Sequence, residues 1–255
     1  MNAAFAAGGP SAAALARGTA FYVLLIAWTL GYGILVLPLL LAPRSVVLAA
    51  ARLWNRGAMA LVTHVAGIGY QLRGADNIPD APAVIAVKHQ SAFETLALPL
   101  ILDDPLFVLK KELFSIPLFG WYLARLGNIG IDRGAGTQAL RAIVQESAEA
   151  MEAGHHIIIF PEGTRVAPGA TRPYGPGVAA LYAMLGVPVV PVALNSGLFW
   201  GRRTWGKRAG TVTVAFLPAI RPGLPRDAFV AELSRRIETV TARLMDEAAG
   251  RTRTH

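Results

Sequence analysis

A histidine and a carboxylate stand five residues apart, as His89 and Glu94, within Val87-Lys88-His89-Gln90-Ser91-Ala92-Phe93-Glu94-Thr95. A carboxylate that accepts from one imidazole nitrogen fixes the tautomer and leaves the other nitrogen basic toward a hydroxyl. The spacing sets a condition. On a regular helix five residues advance about 500°, which puts the two side chains about 140° apart. They meet only if the first turn is irregular. Taken alone, the pair also fits ordinary surface chemistry.

Three further stretches carry groups that could act with it. Phe160-Pro161-Glu162-Gly163-Thr164-Arg165 is an apolar strand running into a turn. Turn amides, a hydroxyl and a guanidinium make a cradle for a phosphate or an oxyanion. The alternative is a tight turn with a solvated Arg165. Lys110-Lys111-Glu112-Leu113 leads to Gly127-Asn128-Ile129-Gly130-Ile131-Asp132-Arg133. Arg133 and Arg165 both end strands, and groups at strand ends converge on one anion, with Lys110 as a third cation. The last stretch, Val187 to Leu194, is apolar. His155-His156 raises a metallohydrolase reading, but adjacent histidines on a strand face opposite ways and no His-Glu-x-x-His helix is present. With no cysteine in the chain, disulfides, thiolate metal sites and thiol nucleophiles are excluded.

These groups need strands and helices to aim them. Ala83 to Val87 reads as a buried strand feeding the His89 turn, followed by a short helix from Leu96 that stops near Pro99. Leu106–Lys110, Asn128–Ile131, His156–Phe160, Val187–Leu194 and Thr211–Leu217 read as strands. Helices are expected over Thr137–Ala153, with Leu140, Ile143, Val144 and Met151 inward and Gly154 ending it, and over Val178–Leu185, ended by Gly186. A last helix runs from an Asp227 cap to Ala248, its core face Val230, Leu233, Ile237, Val240 and Leu244. Such alternation means an α/β fold with a mostly parallel central sheet flanked by helices.

Ahead of this body the chain changes character. Residues 1–16 are alanine-rich and read as a disordered tail. Residues 18–43 carry no charge, and Ala20–Ala42 is long enough for a bilayer core, which takes about 20 residues. The apolar part is too long for a typical signal-peptide core and lacks a clear cleavage site. Gly31, Gly33 and Pro38 allow a kinked or re-entrant helix. Arg44, Arg52 and Arg56 follow the segment against Arg17 before it, placing its C-terminal side in the cytoplasm. Residues 45–70 read as a second helix, either at the interface with its arginines at headgroup level and Trp54 as anchor, or covering the sheet. The domains are therefore a tail (1–16), membrane-anchoring helices (17–70) and an α/β body (71–250).

Composition agrees: 54% of residues are apolar, and 16% are charged against a usual 25% or so. A net charge of +8 calls for an anionic partner, a membrane surface or a phosphate-bearing substrate. Nucleic acid is disfavoured, because aromatics are few and the basic residues are scattered, with no cluster denser than Arg202, Arg203, Lys207 and Arg208.

In order, the four stretches resemble the four motifs of the glycerolipid acyltransferases, specifically lysophosphatidic acid acyltransferases of the PlsC type, over roughly residues 70–220. The resemblance implies a membrane-bound enzyme, on the cytoplasmic face of a bacterial inner membrane. Such an enzyme moves an acyl group from acyl-ACP or acyl-CoA to the 2-hydroxyl of lysophosphatidic acid, giving phosphatidic acid. It implies His89 as general base and Glu94, at the family's usual aspartate, as its orienting partner. Lys110 and Arg133 would grip the acceptor phosphate, Glu162 and Gly163 would shape the acceptor site, and Thr164 and Arg165 would add anion contacts. No metal, cofactor or covalent enzyme intermediate is implied. Other lysolipid acceptors, and a catalytically silent lipid-binding protein, are the competing readings. The chain departs from the family pattern at Lys88, usually asparagine, at Glu94, and at Arg172-Pro173-Tyr174-Gly175-Pro176-Gly177, where a lysine-bearing segment is common.

Overall fold

The structure, a computed structural model, describes residues 11–132, 134 and 136–250. Among these residues two helices lead, α1 (Ala12–Leu35) and α2 (Arg44–His64), joined by a short 3-10 turn at Leu37–Leu41 with Pro38 in its first positions. Seven strands follow: β1 (Ile68–Arg73), β2 (Val84–Val87), β3 (Leu106–Lys110), β4 (Ile129–Ile131), β5 (Ile157–Ile159), β6 (Val189–Leu194) and β7 (Gly210–Phe216). Between and after them run α3 (Phe93–Ile101), α4 (Phe119–Arg125), α5 (Gly136–Glu152), α6 (Pro176–Leu185) and α7 (Arg226–Ala248).

The strands form one sheet in the order β1-β7-β6-β2-β5-β3-β4, parallel except where β6 meets β7. Strands β2, β5 and β6 are buried along their whole length, which is why they read as unbroken apolar runs rather than alternating ones. Apolar side chains fill both faces of the sheet. One face holds Ile85, Val87, Phe93, Ile158 and Val192, and the other holds Val84, Ala86, Ile157, Ile159, Phe229, Leu233 and Ile237.

Most expected elements are present within a residue or two. Four details differ. β1 crosses the expected 70/71 boundary, and its period is hidden because Tyr70 and Gln71 on the sheet edge are not buried. Residues 12–16, expected in the tail, are the first turns of α1, whose start is capped by the Ser11 hydroxyl accepting from the Ala14 amide at 3.2 Å. The last helix starts after Pro225, and its fully buried face adds Phe229 and Thr241 to the expected Leu233, Ile237 and Leu244, while Val230 and Val240 pack against the core only partly buried. Pro99 lies inside α3 rather than ending it.

The N-terminal helices do not form a separate unit. Phe21, Ala58, Met59 and Val62 belong to the same apolar cluster as the strands. Tyr122 donates to the Gly33 carbonyl, and Arg125 to the carbonyls of Leu40 and Ala42. Arg44 pairs with Asp104 at 2.5 Å and Arg52 with Asp103, so both bind α2 to the loop after α3, and Arg52, one of the arginines that an interfacial helix would hold at headgroup level, is engaged within the protein. On its other side α1 is apolar and uncovered, with Val23, Ile26, Leu30, Ile34 and Leu35 exposed. Among the described residues it is one helix long and apolar enough to cross a membrane.

The loop before β7 clasps α1. Lys207 is fully buried among the rings of Phe21, Tyr22 and Trp200, its Nζ 4.1 Å from the Tyr22 ring centre, and it donates to the carbonyls of Thr204 and Trp205. It is therefore not part of a surface basic cluster, and burial pushes its ammonium below the usual lysine range. Gly18 permits this clasp, because a Cβ there would lie 2.1 Å from the Trp205 carbonyl oxygen. Gly18→Ala should force helix and loop apart and cost about 1–3 kcal/mol. A thermal midpoint equal to wild type would show that the clasp yields freely.

Candidate active site

The parallel strands bring the chemistry to one edge. Pairing sets Ala86 level with Ile159 and Val87 level with Val192, so the segments after β2, β5 and β6 emerge side by side at their carboxyl ends.

His89 and Glu94 meet, with Nδ1 3.3 Å from a Glu94 oxygen. The irregular turn that this requires is a capping arrangement. Ser91 accepts the Phe93 amide on its hydroxyl at 3.0 Å, while the Glu94 carboxylate reaches back to accept the Ser91 amide at 3.0 Å. The Glu94-to-Ser91 bond is the glutamate half of a Ser-x-x-Glu capping box, and it turns the Glu94 side chain toward the residues before the helix. His89 lies there, off the helix, and the 140° separation does not apply. Glu94 also accepts from the Ser196 hydroxyl and is buried, whereas the His89 side chain is 15% exposed. With its Nδ1 side on a carboxylate, the ring presents Nε2 as the basic nitrogen. Phe160 stacks on the ring, centroids 3.9 Å apart and planes 20° apart.

The Pro161–Val166 turn holds the backbone of His89 from both sides. Glu162 accepts the His89 amide at 2.9 Å, and the Val166 amide donates to the His89 carbonyl at 2.8 Å. Glu162 thus faces inward, buried beside Lys88. Burial holds its carboxyl above the usual range, and Lys88 opposes only part of that rise. Gly163 takes a positive φ of 67° and donates its amide to the Phe160 carbonyl. With the Gly163 and Val166 amides engaged, the polar side chains left on the outer side of the turn are Thr164 and Arg165, both half-buried. The Arg165 carbonyl accepts from Arg202. Lys110 is exposed at the end of β3, two strands from β2. Arg133, expected to face the same anion, lies outside the described residues.

Three participants were not foreseen as such. Lys88 is buried behind His89. Gln90 is fully buried, and its carbonyl accepts the Gly197 amide at 3.0 Å. Ser196 holds Glu94. Ser196→Ala should lower kcat roughly tenfold, because the carboxylate loses one charge-assisted bond but keeps its backbone donors. An unchanged kcat would mean those donors suffice. His155 and His156 serve the scaffold, with His155 facing the Asp104 carbonyl and His156 accepting the Ala83 amide at 3.2 Å. Burial pushes His156 below the usual histidine range, in keeping with an accepting, neutral ring.

This site lies in a chain with clear relatives. Residues 69–195 match the Acyltransferase family. A 1-acyl-sn-glycerol-3-phosphate acyltransferase of Pseudomonas aeruginosa is 38% identical over 237 residues, 91% of each chain. A lyso-ornithine lipid O-acyltransferase of the same organism is 31% identical over 51% of this chain and 49% of its own. The fold matches the crystal structure of the 1-acyl-sn-glycerophosphate (LPA) acyltransferase, PlsC, from Thermotoga maritima with a TM-score of 0.72, covering 94% of this chain and 98% of that one at 23% identity. Identity at this level, along nearly the whole length of both chains, means that this protein belongs to the acyltransferase family that includes the 1-acyl-sn-glycerol-3-phosphate acyltransferases.

Proposed function

We propose that the protein transfers a fatty acyl group from a thioester donor, acyl-ACP or acyl-CoA, to the 2-hydroxyl of lysophosphatidic acid, giving phosphatidic acid. The observation that carries this reading is the 38% identity over 91% of both chains to an enzyme of that name. The geometry supplies a mechanism. Nε2 of His89 takes the proton of the acceptor hydroxyl as its oxygen attacks the thioester carbonyl carbon. The new C–O bond gives a tetrahedral oxyanion, which collapses with cleavage of the C–S bond, and the imidazolium returns its proton to the departing thiolate. Glu94 orients the ring and stabilises the imidazolium. A thiolate leaves readily, so an acyl-enzyme is not called for.

Lys110 and Arg133 are assigned to the acceptor phosphate, and Thr164 and Arg165 to further anion contacts. Glu162 and Gly163 shape the acceptor site by fixing the turn behind His89. Two strand spacings of about 4.8 Å separate the β3 end from that of β2, a gap that a lysine arm and a glycerol phosphate together bridge. The uncovered apolar side of α1 supports attachment to a membrane, which we assign to the cytoplasmic face of a bacterial inner membrane.

The lyso-ornithine lipid relative favours one alternative acceptor. Purified protein given an acyl thioester and either lysolipid, with products read by mass spectrometry, decides between them. Phosphatidic acid from lysophosphatidic acid is expected. Acylation of lyso-ornithine lipid alone would keep the chemistry and replace the acceptor. Silence with both would leave a lipid-binding protein.

A further inference from the structure

Behind His89 lies a charge cluster that the acid/base pair does not use. Lys88 is 1% exposed, and its Nζ lies 2.6 Å from Glu162 Oε1 and 2.7 and 2.9 Å from the two oxygens of Glu238 on α7. The hydroxyl of Tyr174 donates to Glu238 at 3.0 Å. The other Glu162 oxygen accepts the His89 amide. A continuous line of contacts therefore runs from α7 through Glu238, Lys88 and Glu162 to the backbone of His89. Lys88 and Tyr174, from two separate segments of the chain, converge on the one Glu238 carboxylate.

An ammonium buried this deeply costs more than a neutral side chain unless it is paired, and here it is paired twice. Packing alone would be served by an apolar residue of the same length. We propose that Lys88 is a positioning residue of the acyl-transfer site: it clamps the Glu162 carboxylate against the His89 amide and ties that clamp to α7 through Glu238. The proposal rests on the acyl-transfer reading of the His89 site.

The charge balance gives the clamp a pH signature. The groups facing Glu162 are Lys88 just after β2, Glu238 from α7 and Tyr174 from the segment before α6. Without Lys88, burial and Glu238 both push Glu162 upward from its ordinary 4.5 or so. A carboxyl raised on folding adds stability that is present below its unfolded value and lost as pH rises through the folded one. Lys88→Met should therefore be close to wild type in stability near pH 5 and clearly weaker near pH 7.5.

The test compares wild type, Lys88→Met, Glu162→Gln and the double variant, by acyl transfer to lysophosphatidic acid and by thermal midpoint at both pH values. Lys88→Met should lose at least about 30-fold in kcat with KM for the acceptor within about threefold, because a displaced base slows chemistry rather than binding. Adding Glu162→Gln should return about tenfold, since glutamine can still accept the His89 amide without an unpaired charge. An unchanged kcat in Lys88→Met, a midpoint that falls while kcat holds, or a double variant no better than Lys88→Met would each overturn the proposal. If Lys88→Met does not fold, the double variant against Glu162→Gln carries the comparison. A wild type without transfer activity would sink the functional reading, and the pH-dependent midpoints would still decide the clamp.

Discussion

His89→Ala is expected to lower kcat by about 1,000-fold while leaving the fold intact. The side chain is partly exposed and its backbone, which alanine retains, makes the bonds to Glu162 and Val166. What disappears is Nε2, the basic nitrogen that the ring presents once Nδ1 faces Glu94. An acceptor hydroxyl has a pKa far above neutrality, so without a base its attack on the thioester waits on the rare alkoxide. Acceptor KM should change little, because the phosphate contacts are assigned to other residues. Near-normal turnover measured by thiol release would remove His89 from the mechanism.

Glu94→Gln is expected to cost between about 100- and 1,000-fold in kcat, from a change of one atom. Everything that faces this carboxylate donates: the Ser91 amide, the Ser196 hydroxyl and His89 Nδ1, with the Gln90 amide at the longer distance of 3.4 Å. A glutamine must turn its NH2 toward one of these donors, leaving a donor unsatisfied in a buried place. If it turns toward His89, the ring takes the other tautomer and Nε2 carries a proton when it should accept one. Steady-state kinetics with a circular dichroism spectrum of the same sample check this. A Glu94→Gln enzyme within a few-fold of wild type would mean that the tautomer is fixed elsewhere.

The body of the fold was legible because its periods are strong. Fully buried strands such as Ile157–Ile159 and Val189–Leu194 are apolar without interruption, and α5 stops two residues before Gly154, whose φ is positive at 94°. Edge strand β1 was not legible. Exposed Tyr70 and half-buried Leu72 blur its alternation, and its first residues fall within the span expected for the preceding helix. At the site, the residue types were legible but not the way they meet. Five-residue spacing argues against contact until Ser91-x-x-Glu94 is read as a capping box, a signal that was present in the sequence. The burial of Lys88 was not available locally, because its partners Glu162 and Glu238 lie 74 and 150 residues further along. A lysine at a strand end looks solvated until the topology places two carboxylates around it. Lys207 misleads in the same way, since the aromatic box that covers it is built partly from α1.

Rapid mixing of purified protein with acyl thioester, with thiol release followed before and after lysophosphatidic acid is added, tests the central claim most directly. Direct attack by a hydroxyl held at His89 predicts no release until the acceptor arrives, then release matched one for one by phosphatidic acid. A burst of one thiol per protein molecule without acceptor would reveal an acyl-enzyme, and would contradict His89 acting as a base on the acceptor itself.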